Sequence, residues 1–131
     1  MDEAVASELR IWVDDWQMQC CGEPFAVGDE VSWTLRAPDT EWLEPVLGKD
    51  LAAGIDLAEE HHGGVEETPP TVGTVVAIRA VHCRYGPLAG GAGLGPVAGS
   101  GVISTVRSAD GWTPDRGDLK FAGYVVEVTC A

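Results

Sequence analysis

Short alternating apolar runs, glycine–aspartate turns between them and a single helix-like stretch predict a mainly β domain. The architecture expected is a small SH3-like or related β-barrel or sandwich with one short helix. A length of 131 residues suits one domain, residues 1–131, because domains cluster at about 100–150 residues. Apolar residues make up 45% of the chain and include five tryptophans, so a core can close without disulfide or metal staples.

Along the chain, Leu9, Ile11 and Val13 alternate on one face of a first strand, leaving Trp12 on the other with Arg10 and Asp14. Gly22 and Pro24 mark a turn before Phe25. Gly28-Asp29 is a second turn signal, after which Val31, Trp33 and Leu35 share a face. Residues 38–53 form the helical region. Asp39 or Thr40 can cap it, Trp42/Val46 and Leu43/Leu47 stand four apart, and Pro45 and Gly48 keep it short. Ile55-Asp56-Leu57 alternates weakly, and residues 73–83 are dense in β-branched side chains. Residues 86–101 hold seven glycines and two prolines in sixteen positions, and so read as a mobile loop. A strand at 102–107, a turn at Ser108-Ala109-Asp110-Gly111 and a strand at 121–130 follow, the last with Tyr124, Val126, Val128 and Cys130 on one face. The expected core is Ile11, Val13, Val31, Trp33, Leu35, Val76, Ile78, Val126 and Val128.

Eight basic residues against 21 acidic give a formal charge of −13. The few Lys and Arg are scattered, whereas a nucleic-acid surface needs them clustered to displace counterions. Nucleic acid and anionic membrane are thereby excluded as partners, and neutral or cationic ligands, or a protein, are favoured. Association of copies through a strand edge would make a homo-oligomer. No stretch approaches the ~20 apolar residues of a membrane span, and the acidic start lacks the basic region of a signal peptide. The four cysteines read as reduced thiols, and a cytoplasmic location is expected.

The run Trp12-Val13-Asp14-Asp15-Trp16-Gln17-Met18-Gln19-Cys20-Cys21-Gly22, with Glu59-Glu60-His61-His62-Gly63 later, resembles an uncharacterised family of actinomycete proteins carried as a domain of unknown function. The Trp-Gln-Met-Gln-Cys-Cys-Gly stretch is the specific part of that resemblance. It implies no activity.

Two sets of residues could carry chemistry. The first is three doublets, Cys20-Cys21, His61-His62 and His82-Cys83, which are zinc-ligand types. Their spacing argues against a zinc turn, since neighbours on extended backbone point to opposite faces. A site would need one ligand from each of three distant segments. The leading expectation is therefore no cofactor, with Cys83 and Cys130 as small buried apolar residues. An activated thiol at Cys20 or Cys21 finds only Asp14, Asp15 and Glu23 nearby, and negative neighbours raise a thiol pKa. The second set is Trp12, Asp14 and Trp16, an aromatic and acidic patch suited to a peptide or cationic ligand if the indoles are exposed. Packing of Trp12 or Trp16 under the 38–53 helix is the stronger expectation, because large aromatics dominate core burial. The paired acids elsewhere read as a solvated face, and no phosphate-binding glycine motif fits residues 86–101. A non-enzymatic binding or interaction module is the leading expectation. A metal- or thiol-dependent enzyme or sensor using Cys20/Cys21 with His61/His62 is the alternative.

Overall fold

The computed structural model of the chain describes residues 7–20, 22–60, 69–87 and 93–130. Its elements in order are β1 (Ser7–Asp14), α1 (Asp15–Cys20), β2 (Phe25–Ala26), β3 (Glu30–Trp33), β4 (Leu35–Arg36), α2 (Thr40–Leu47), α3 (Lys49–Ala53) and β5 (Leu57–Glu59). There follow β6 (Thr71–Cys83), β7 (Tyr85–Pro87), β8 (Leu94–Pro96), β9 (Val102–Val106), β10 (Ser108–Ala109) and β11 (Lys120–Cys130).

The main sheet runs β3-β6-β11-β1-β5-β4, with β9 also paired to β6. β1 pairs antiparallel with β11 along its whole length and parallel with β5. The segment 30–36 closes this path: β3 pairs with β6, the strand is interrupted at Thr34, and β4 pairs with β5. The result is a mainly β, nearly closed, barrel-like sheet. Three short helices accompany it among the described residues, rather than the one expected. Among the described residues, no helix is long and apolar enough to cross a membrane.

Two apolar clusters hold the sheet from its two faces. Ile11, Val13, Val75, Ile78, Ala80, Tyr124, Val126 and Val128 point into the barrel with Met18, Phe25 and Phe121. Trp12, Val81, Cys83 and Val125 point outward, beneath Leu43, Val46 and Leu47 of α2 and Ala52 of α3. This double cover explains why Phe121–Val126 is buried at every position instead of alternating. The helix pair therefore lies over the outward face of β1. Asp39 caps α2 by accepting from the Trp42 backbone N–H at 3.3 Å, and Gly48 takes the positive φ of 88° that ends it.

Four expectations are corrected. Val76 is exposed, because a bulge in β6 opposite Glu127 and Val128 steps the inward face from Val75 to Ile78. Val31, Trp33 and Leu35 are half-buried at the rim of the inner cluster, since the two ends of the sheet meet there. Ser108-Ala109 is a short strand on β2 rather than part of a turn. The glycine-rich segment is not a bare loop at its ends. β7 and β8 pair as a small ladder, and the Ser100 hydroxyl accepts from the Arg84 N–H at 3.0 Å and donates to the Val97 carbonyl at 2.6 Å. Residues 88–92 of that segment lie outside the described residues.

Candidate functional site

β1 ends at Asp14, and the chain turns at once into α1. A six-residue helix forms here because both of its buried side chains find partners. Met18 enters the inner cluster, while the Gln17 amide donates to the Glu59 carbonyl at 3.1 Å and to Asp14 Oδ2 at 3.2 Å. Gln19 donates to the Gly111 carbonyl at 2.8 Å, tying α1 to the loop before β11. The Trp-Gln-Met-Gln run thus pins one end of the barrel.

A cleft of about 320 Å³ opens where β1 gives way to α1. Trp12, Asp14, Asp15 and Trp16 form one side. Arg36 from β4, the cap residue Asp39, Trp42 and Leu43 from the start of α2, Ala58 from β5 and Tyr85 from β7 complete it. All three residues of the expected aromatic and acidic patch therefore line one cavity. Trp12 is nonetheless buried, at 2% exposure, because α2 covers its face of the sheet. Its ring lies 5.7 Å from that of Trp42, and its Nε1 donates to Asp14 Oδ1 at 2.7 Å. Trp16 is the exposed indole, at 52%.

The charges are arranged around Arg36. Its guanidinium lies 3.6 Å from Asp14 and 2.7 Å from Glu60. Asp15 and Asp39 add carboxylates to the same cleft, so acids outnumber the one arginine in its lining. Burial, reinforced by the neighbouring Asp14 charge, pushes the Asp15 carboxyl up to about 6. Burial also pushes the Tyr85 hydroxyl well above its ordinary range, with the Cys83 thiol beside it as a second cause. Sequence reading missed Tyr85, Trp42, Asp39 and Arg36 as site residues, since only the fold brings their segments to β1.

A second cleft, of about 440 Å³, shares Asp15 and Tyr85 with the first. Gln19, Trp112, Thr113, Asp115, Lys120 and Phe121 complete its lining. A larger groove of about 500 Å³ lies between residues 23–25 and β3. Its rings, Phe25 and Trp33, are stacked edge-to-face on each other at 5.1 Å and belong to the inner core.

The doublets fare differently. His82 and Cys83 are both buried, on opposite faces of β6. Cys83 sits in the outer cluster, and burial pushes its thiol up, which disfavours the thiolate. His82 packs against Phe121 with its Nε2 2.9 Å from the Pro114 carbonyl oxygen, the N–H donating. Cys20 is exposed at the end of α1. Cys21, His61 and His62 lie outside the described residues. Among the described residues, no group of three or more His, Cys, Asp or Glu is placed to hold a metal ion.

Fold and site together define a small, acidic, barrel-like domain with an aromatic cleft at the β1–α1 junction. The chain belongs to the Family of unknown function (DUF6578), whose model matches residues 7–130. No curated protein and no solved structure matches the chain.

Proposed function

We propose that the domain is a non-enzymatic binding module whose cleft takes a cationic group, such as an ammonium or guanidinium side chain. One observation carries this reading: Trp16 and Trp42, beside the buried Trp12, share a single cavity with Asp14, Asp15 and Asp39, three acids against the one Arg36, which Glu60 also pairs. Indole faces attract cations through their quadrupole, worth about 0.5–2 kcal/mol per contact depending on desolvation. Carboxylates set among them select the sign of the charge. The volume lies in the range of about 300–1,000 Å³ typical of ligand sites. The chain's charge of −13 would draw cations toward it from a distance.

The test is a titration followed by tryptophan fluorescence at low ionic strength, with N-acetyl-lysine methylamide, its Nε-trimethyl form and N-acetyl-glutamate methylamide. Both lysine compounds should bind saturably and the glutamate compound should not. Trp16→Ala should weaken the lysine compounds by roughly fivefold, the equivalent of about 1 kcal/mol. Absence of saturable binding by either lysine compound sinks the reading.

A further inference from the structure

Trp112 is the most exposed tryptophan among the described residues, at 64%, yet its loop is held from several sides. The Gly111 N–H donates to the Tyr124 hydroxyl at 3.2 Å, and that hydroxyl lies 2.7 Å from Thr113 Oγ1. The Pro114 carbonyl accepts from His82, and Asp115 Oδ1 accepts the Phe121 N–H at 2.8 Å. Gly111, Thr113, Pro114 and Asp115, on both sides of Trp112, are thus anchored to the core or to β11, while the ring faces solvent. An exposed aromatic on a fixed backbone loses little freedom on contact, which is the profile of a binding anchor.

The ring also stands at a particular place. It lines the second cleft, which meets the first at Asp15 and Tyr85. That second cleft is chemically unlike the first: Gln19 and Thr113 offer hydrogen bonds, and Lys120 and Asp115 face each other at 3.5 Å across it. A lone cation fits the tryptophan-lined cleft and leaves this surface uncovered. A polypeptide has the backbone amides and the flanking side chain to cover both.

Resting on the proposed cation cleft, we infer that the ligand is an extended peptide with a basic residue. Its basic side chain enters between Trp16 and Trp42, its backbone crosses at Asp15 and Tyr85, and a neighbouring apolar residue lies on Trp112. The two aromatic subsites make recognition depend on the pair of residues and not on the charge alone.

The experiment compares three probes against wild type and Trp112→Ala by calorimetry: N-acetyl-lysine methylamide, acetyl-Gly-Gly-Lys-Gly-Gly-amide and acetyl-Gly-Leu-Lys-Leu-Gly-amide. The leucine-flanked peptide should bind wild type at least tenfold more tightly than the single-residue compound. Trp112→Ala should remove most of that gain and leave the single-residue affinity unchanged, and Trp112→Phe should restore part of it. Equal affinity for the single-residue compound and the leucine-flanked peptide would overturn the inference, as would a gain that survives Trp112→Ala. If the single-residue compound fails to bind at all, the cation cleft itself falls, and the inference falls with it.

Discussion

Gly123 in β11 makes the space that the Trp12 indole fills. A Cβ at Gly123 would stand 2.7 Å from Cζ2 and 2.9 Å from Cη2 of that ring, and 2.5 Å from the Val13 carbonyl oxygen. Gly123 pairs with Asp14 in the ladder, so the contact sits beside the cleft. Gly123→Ala should destabilise the fold by about 1–3 kcal/mol, the usual cost of overpacking a closed site. It should also displace the Trp12 ring and weaken any cation held there. Denaturant unfolding would read the first effect as a lower midpoint at unchanged slope. An unchanged midpoint would show that Trp12 can move aside freely.

Tyr124 is fully buried, and its hydroxyl accepts from the Gly111 N–H. Tyr124→Phe leaves that buried N–H without its acceptor, at a cost of about 1–3 kcal/mol. Hydrogen exchange should then speed up at Gly111 and at the residues that carry Trp112. Exchange unchanged in that loop would mean that the hydroxyl does not anchor it.

The bulge in β6 yields a contrast between close neighbours. Val76 is 44% exposed and Ile78 is fully buried. Val76→Thr should fall within about 0.5 kcal/mol of wild type, as surface changes do, whereas Ile78→Ala should cost about 2–5 kcal/mol. Similar losses in the two variants would contradict the placement of the bulge.

The same bulge marks the limit of what was legible in the sequence. Period-two alternation correctly assigned Ile11, Val13, Ile78, Val126 and Val128 to the interior. It failed at Val76, because a single extra residue reverses the phase and leaves no compositional trace. α1 was invisible for a different reason: six residues give too few turns to show a helical period, and its stability comes from where Gln17 and Met18 land. Of the cleft, the adjacency of Trp12, Asp14 and Trp16 was legible, since a strand running into acids and an indole is a local pattern, but the burial of Trp12 beneath α2 was not assured by it. The Asp39, Trp42 and Tyr85 side was not legible, because α2 and β7 reach β1 only through the folded topology. A tryptophan in a turn-rich segment was the one available signal for Trp112, and its exposure was not readable there.

The Asp15 carboxyl supplies a pH test with a definite sign. Its folded value is about 6 against an ordinary 3.8, with burial as the main cause and Asp14 as a neighbouring negative charge. Between those values the native state holds a proton that the unfolded chain has released, so this group makes stability fall as pH rises through the interval. The contribution is largest in acid, declines from about pH 4 to about pH 6, and is lost above. Asp15→Asn removes the titration and the half-buried charge together. Its stability relative to wild type should therefore grow as pH rises from 4 to 7, measured by urea unfolding at each pH on both proteins. Taking the difference cancels the other carboxylates that titrate in the same window. Cation binding should follow the opposite course, strengthening through pH 6 in wild type as Asp15 ionises, and staying nearly flat there in Asp15→Asn. Parallel stability profiles for the two proteins would show that Asp15 ionises at an ordinary pH, and would remove it as the source of any pH dependence in binding.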